Sequence, residues 1–260
     1  MTDVLVVTGG HPFDHEPFFA IFDALTDVEW TAADAPARGH DVVVFYDMPG
    51  LRFTGADPPV DLIEPTIEQR QIFDDLCAAG TGLVFLHHAV ASWPAWEGFA
   101  ELVGARFHYR PASLGEVDYP NSGYRFDVTH RVEVLDVDHP VCAGLGGSFE
   151  LTDELYCFPV LTDRVTPLMR TTFDTADPSA FYSADLAIRG DLNSNRGWTH
   201  PPGSDLVAWA RDAGRSRLVY LQFGDGPATY ADANFRRVLA NAIVWTAVAG
   251  EPLPRSTGRG

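Results

Sequence analysis

The chain opens with a strand-helix alternation. Val4-Leu5-Val6-Val7 is an unbroken apolar run, the pattern of a parallel strand buried on both faces, and it closes in Gly9-Gly10-His11-Pro12. A helix is predicted from about Glu16 to Leu25, then strands over Glu29–Ala33 and Val42–Tyr46. The next helix starts at Thr66, which has capping-box spacing to Gln69. It turns Ile72, Phe73 and Leu76 inward and ends at Gly80. Leu83-Val84-Phe85-Leu86 reads as a fourth strand. Phe99, Leu102 and Val103 then fall at helical spacing before Gly104. This order predicts an α/β fold with an open, mostly parallel sheet and helices on both faces. Ligands of such sheets bind beyond the carboxyl ends of the strands.

Beyond Tyr124 the rhythm changes. Val132–Val137 and Thr166–Thr172 are extended, and Leu206–Trp209 pairs with Leu218–Phe223 across Ala213-Gly214, so the C-terminal half is expected to add antiparallel strands. The stretch Asp174–Ser204 is long, irregular and rich in Ser, Asn, Gly and Pro, which suggests a lid or binding loop. A last helix from Asp232 to about Val248 carries Phe235, Val238, Leu239, Ala242, Ile243 and Trp245 on one stripe. Residues 1–249 are expected to form one domain and 250–260 a flexible tail.

Composition narrows the chemistry. All 18 basic residues are Arg, so no Lys is present to form a Schiff base or to grip phosphates from a P-loop. The formal charge of −18 disfavours nucleic acid and anionic lipid as partners. Cys77, Cys142 and Cys157 show no paired spacing, and no leader precedes the first strand, which reads as a cytoplasmic protein. The uncharged stretch from Ala78 to Trp96 is broken by Gly, His, Ser and Pro into a strand and a loop rather than a membrane span.

Candidate chemistry gathers at strand ends. His11 and His15 follow the first strand, His87 and His88 the fourth, and His108 the next helix. Imidazoles near one crevice suit either metal binding or acid/base work, and the spacing does not choose between them. Asp153 and Glu154 lie on an extended segment whose alternation puts Glu154 with Tyr156, and Asp153 on the opposite side. Asp225 sits in a turn after a late strand, where ordinary turn chemistry also explains it. Trp93, Tyr156 and Trp198 offer flat faces for stacking on a ligand ring, though aromatics beside apolar residues more often fill a core. No dinucleotide fingerprint and no Ser or Cys elbow is present.

Phe85-Leu86-His87-His88-Ala89, Trp93-Pro94, Leu102 to His108, Asp138-His139-Pro140-Val141, Phe149 to Tyr156, Gly214 to Tyr220, Phe235 to Leu239 and Asn241 to Trp245 occur in an order that resembles the ThuA-like (trehalose utilisation) family. The resemblance implies a flavodoxin-like, class I glutamine amidotransferase-like fold in which His87-His88 occupy the elbow of the nucleophilic Cys. Glutaminase activity is therefore not implied. It further implies an enzyme of carbohydrate metabolism, a hydrolase, lyase or isomerase acting on a trehalose-like sugar or keto-sugar glycoside. The alternative is a catalytically silent sugar-binding or regulatory module. Where such proteins often carry Gly-His after the late strand, this chain has Gly224-Asp225. The expected catalytic set is His87, His88 and Glu154. His11, His15, Trp93, His108, Tyr156, Trp198 and Asp225 are expected around the substrate. A divalent metal such as zinc on His87, His88 and His108 is left open, as is a homo-oligomer.

Overall fold

The computed structural model describes residues 1–177 and 179–248, and the tail expected over 250–260 lies outside them. Its centre is a ten-stranded sheet. The parallel part runs, in spatial order, Val28–Ala33, Thr2–Gly9, Val42–Asp47, Gly82–Leu86 and Ser216–Leu221. From Ser216–Leu221 the sheet continues antiparallel through Leu206–Ala213, Thr166–Thr171, Gly123–Val134 and Ser148–Cys157. The short strand Tyr182–Ser183 pairs with Gly123–Val134 off this path. The expected fold class, an open, mostly parallel α/β sheet with antiparallel additions, is the one observed.

The unbroken apolar runs are explained by two cores, one on each face. Val4, Val6, Val42, Val44, Val84, Leu86, Val219 and Leu221 face one, with helices His15–Asp23 and Ala233–Ala247. The intervening Leu5, Val7, Val43, Phe45, Leu83, Phe85, Leu218 and Tyr220 face the other, with Ile67–Ala79 and Glu97–Val103. A strand covered on both sides has no solvent face to make polar.

The helix signals are realised in detail. The Thr66 backbone N–H donates to Gln69 Oε1 at 2.8 Å and the Gln69 N–H donates to Thr66 Oγ1 at 3.3 Å, while Gly80 ends the helix at φ 83°. Asp232 caps the last helix by accepting from the N–H groups of Asn234 and Phe235. Boundaries differ where patterning is weak. The strand expected over 132–137 runs from Gly123 to Val134, and two small hairpins, Leu51–Phe53 with Val60–Leu62 and Ala112–Leu114 with Val117–Tyr119, were not anticipated.

The region Asp174–Ser204 is not featureless. It contains Tyr182–Ser183 and the short helix Ala184–Ile188, which the Ser183 hydroxyl caps by accepting from Leu186 N–H. Among the described residues, no helix is long and apolar enough to cross a membrane.

Candidate active site

Strand order brings the chemistry together. The sheet reverses direction of growth at Thr2–Gly9, and the loops after Thr2–Gly9, Val42–Asp47, Gly82–Leu86 and Ser216–Leu221 all leave its carboxyl edge. His87 is the first residue beyond Gly82–Leu86 and holds φ at 47°, the left-handed region that a non-glycine residue rarely occupies. Its backbone is pinned there by the Tyr220 hydroxyl, which donates to the His87 carbonyl at 3.0 Å. The ring is pinned too: Nδ1–H donates to the Gln222 carbonyl at 2.7 Å, which leaves Nε2 for the site.

Three groups surround that nitrogen. Glu154 Oε2 lies at 3.0 Å, the Tyr156 hydroxyl at 2.9 Å and Asp225 Oδ1 at 3.6 Å. Glu154 and Tyr156 project to the same side of Ser148–Cys157, as alternation predicts. Their neighbour Asp153 turns away and accepts from the N–H groups of Gly224 at 2.7 Å and Asp225 at 3.1 Å. Gly224 sits at φ 125°, so glycine makes this turn possible. The same turn is held from its other side by the Tyr46 hydroxyl, which donates to the Gly224 carbonyl at 2.6 Å. A register shift between Asp153 and Leu155 marks a bulge opposite Asp127, itself at φ 54°, where the paired strand carries one residue more.

The electrostatics follow from burial against pairing. Burial alone would pull the His87 pKa down, but hydrogen bonds to Asp225 and Glu154 and the charge of Glu154 outweigh it and hold the pKa well above 6.5. Burial pushes Glu154 upward, with His87 offsetting part of the rise. Asp225 feels burial too, yet His87 brings it below its ordinary value. Burial, with His87 and His11 nearby, keeps His88 well below 6.5.

Glu154, Tyr156 and His11 open onto a cavity of about 130 Å³, walled by the aromatic rings of Phe107, Tyr109, Tyr124 and Phe126 and by Met48. Ala184, Ala187 and Ile188 of the short helix complete the wall, so the segment Asp174–Ser204 contributes to the cavity lining. Phe126 also borders an outer groove of about 760 Å³, where the Arg125 guanidinium lies over the Tyr182 ring at 4.7 Å.

The expected residues divide accordingly. His87, Glu154, Tyr156, Asp225 and His11 meet at this centre. His88 stands beside it: its ring stacks on His11 with centroids 4.4 Å apart, and its Nε2–H donates to the Tyr46 carbonyl at 3.1 Å. His108 is not brought to His87. Its ring lies over Tyr119, with Phe107 and Tyr109 on either side of it in the chain facing the cavity instead. The set that could hold a metal is consequently His87, Glu154 and Asp225, whose ligand atoms lie within 4.8 Å of one another, rather than His87, His88 and His108. His15 stacks on Phe13 at the start of its helix. Trp93 is a core residue whose N–H donates to the Pro49 carbonyl. Trp198 donates from its indole to the Asn121 carbonyl. None of these last three borders the cavity.

Comparison with known proteins places this geometry. A search of curated proteins gives no match. Among solved structures, a ThuA-like protein from Parabacteroides merdae superposes with a TM-score of 0.67 at 15% identity, covering 98% of this chain and 93% of that one. A ThuA-like protein from Bacteroides uniformis gives 0.62 at 18% identity, covering 94% and 91%. A cytoplasmic protein from Salmonella typhimurium gives 0.55 at 10% identity, covering 95% and 99%. These likenesses establish the fold. A family profile described as trehalose utilisation matches residues 3–246, and the chain belongs to that ThuA family.

Proposed function

We propose that the protein is an enzyme of carbohydrate metabolism that moves protons on a sugar or keto-sugar glycoside, with Glu154, His87 and Tyr156 as its acid/base groups. One observation carries this reading. Glu154 and Tyr156 converge on His87 Nε2 at 3.0 and 2.9 Å and open onto an aromatic-walled cavity. A carboxylate and a phenol within reach of one bound ring can take a proton from one position and give one to another, the requirement for enolisation of a keto-sugar or for elimination or hydrolysis at its glycosidic bond. Aromatic walls suit the apolar faces of such a ring, and the outer groove that shares Phe126 has room for a second unit. No Cys nucleophile is part of the centre.

The test is a mass-spectrometric screen of trehalose and its 3-keto derivative with the purified protein. Conversion of either that is lost in Glu154→Gln supports the reading. Ligand binding with no product from any keto-sugar would favour a silent binding module and overturn it.

A further inference from the structure

We propose that His87 Nε2, Glu154 Oε2 and Asp225 Oδ1 form a site for one divalent transition-metal cation at the inner end of the cavity, which Glu154 borders. The proposal rests on the proposed function and deepens it by naming a cofactor of the same site: with the cation bound, Glu154 and His87 hold it and the Tyr156 hydroxyl keeps the proton-transfer role, and three observations support it.

The first is the donor set. One imidazole nitrogen and two carboxylate oxygens lie 3.0 and 3.6 Å from nitrogen to oxygen, separations that ligands take around a common ion at about 2.0–2.2 Å. Nitrogen with two oxygens favours Zn²⁺ or Mn²⁺ over soft, thiolate-seeking ions. The second is orientation. The Nδ1–H of His87 is committed to the Gln222 carbonyl at 2.7 Å, the outer contact that fixes a metal-binding histidine with its other nitrogen presented. That ring is fully buried and its backbone held at φ 47°, so Nε2 is aimed before any ligand arrives.

The third is charge. Asp153, Glu154 and Asp225 meet within one turn and the strand beside it, and among the described residues none of the three is in an ion pair with an arginine. Among the described residues their one ion-pair partner is His87, with His11 near Asp225, and buried carboxylates demand pairing. A divalent cation at the shared point supplies it. Three protein ligands, bordered by Tyr156 and by His11, whose Nδ1 is buried without a hydrogen-bond partner, describe a catalytic rather than a structural site. A cation held there would polarise a substrate carbonyl or hydroxyl in the cavity.

The experiment uses the full chain, stripped with chelator and dialysed against buffer containing either ZnCl₂ or MnCl₂, with metal measured by elemental analysis and affinity by calorimetry. One equivalent of one of these ions per chain is expected. Glu154→Gln and Asp225→Asn should each weaken binding about a hundredfold or more. The Asp225 side chain is 32% exposed, so its variant keeps the fold. His200→Asn is the control. Its ring contacts Cys157 Sγ at 3.0 Å, the competing donor pair elsewhere in the chain, and the variant should retain full stoichiometry. Less than a tenth of an equivalent in the wild type, or unchanged affinity in both carboxylate variants, overturns the site, as does loss of the ion in His200→Asn. A metal-free protein that still converts a keto-sugar would sink this inference while leaving the proposed function standing. A metal-loaded protein without turnover would do the reverse.

Discussion

Glu154 and His87 stand 67 positions apart in the chain, yet their Oε2 and Nε2 atoms meet at 3.0 Å, and the residue preceding Glu154 builds the turn that brings Asp225 to the same nitrogen. Asp153 and Glu154 thus divide the work: one carboxylate faces the cavity and the other faces the backbone.

That division predicts opposite phenotypes. Glu154→Gln should lower turnover of a confirmed substrate about a hundredfold or more, the scale of lost acid/base catalysis, with little change in thermal stability. Asp153 accepts from three backbone N–H groups, those of Glu154, Gly224 and Asp225, so Asp153→Asn sets an NH₂ group against at least one of them, costing about 1–3 kcal/mol. Its melting temperature should fall by several degrees. Parallel calorimetry and kinetics on the two variants check this, and equal loss of stability in both would contradict it.

How much of this was legible depended on the kind of signal. Strands buried on both faces announce themselves as apolar runs, and the capping box at Thr66 and the terminator at Gly80 are local, so those elements were read correctly. The pairing of Glu154 with Tyr156 followed from alternation. The same logic applied to Arg106-Phe107-His108-Tyr109 would have set Phe107 and Tyr109 on one side and His108 on the other. The role of the Gln222 carbonyl had no sequence signal, since any residue supplies a carbonyl. The convergence of Asp225 on His87 depends on a turn held by Asp153 and Tyr46, contacts 72 and 178 positions apart in sequence that only the folded sheet creates.

Glutamine hydrolysis is expected to be absent. The strained position after Gly82–Leu86 is occupied by His87, and burial pushes the Cys142 and Cys157 thiols up to about 12 and Cys77 up to about 11, leaving almost no thiolate near neutrality. Ammonia release from glutamine that is abolished by substituting any one of the three cysteines would refute this.

The cavity wall offers a test that leaves the reacting groups untouched. Ala187 borders the cavity from the short helix and is only partly buried, so Ala187→Leu adds volume mostly into the open space. Because the cavity is about 130 Å³, three added carbons should raise the dissociation constant of a bound sugar about tenfold or more, with the melting temperature nearly unchanged. Titration calorimetry of wild type and variant with the same ligand decides it; equal affinities would mean that sugars do not occupy this cavity.

Acid stability should be governed in part by two histidines remote from the centre. Burial lowers His108 and His130 to about 4, from an ordinary value of 6.5. His130 sits on Gly123–Val134 with Nδ1 2.8 Å from the Thr171 hydroxyl and Nε2 without a partner, while neither ring nitrogen of His108 has one. Both rings are therefore neutral in the folded protein at pH 5–6, whereas the unfolded chain protonates them below about 6.5. The unfolded state then binds more protons, so the stability each neutral ring contributes is complete above pH 6.5 and declines as pH falls from 6.5 to 4. Each ring gives a slope of at most about 1.4 kcal/mol per pH unit and a total of at most about 3.5 kcal/mol over the window. Denaturant unfolding measured at steps between pH 7 and 4 should show this decline. In His130→Asn, which keeps a polar contact for Thr171 but cannot take up the proton, the slope should fall by up to about 1.4 kcal/mol per pH unit between pH 6.5 and 4. An unchanged slope would show that His130 does not titrate between the two states.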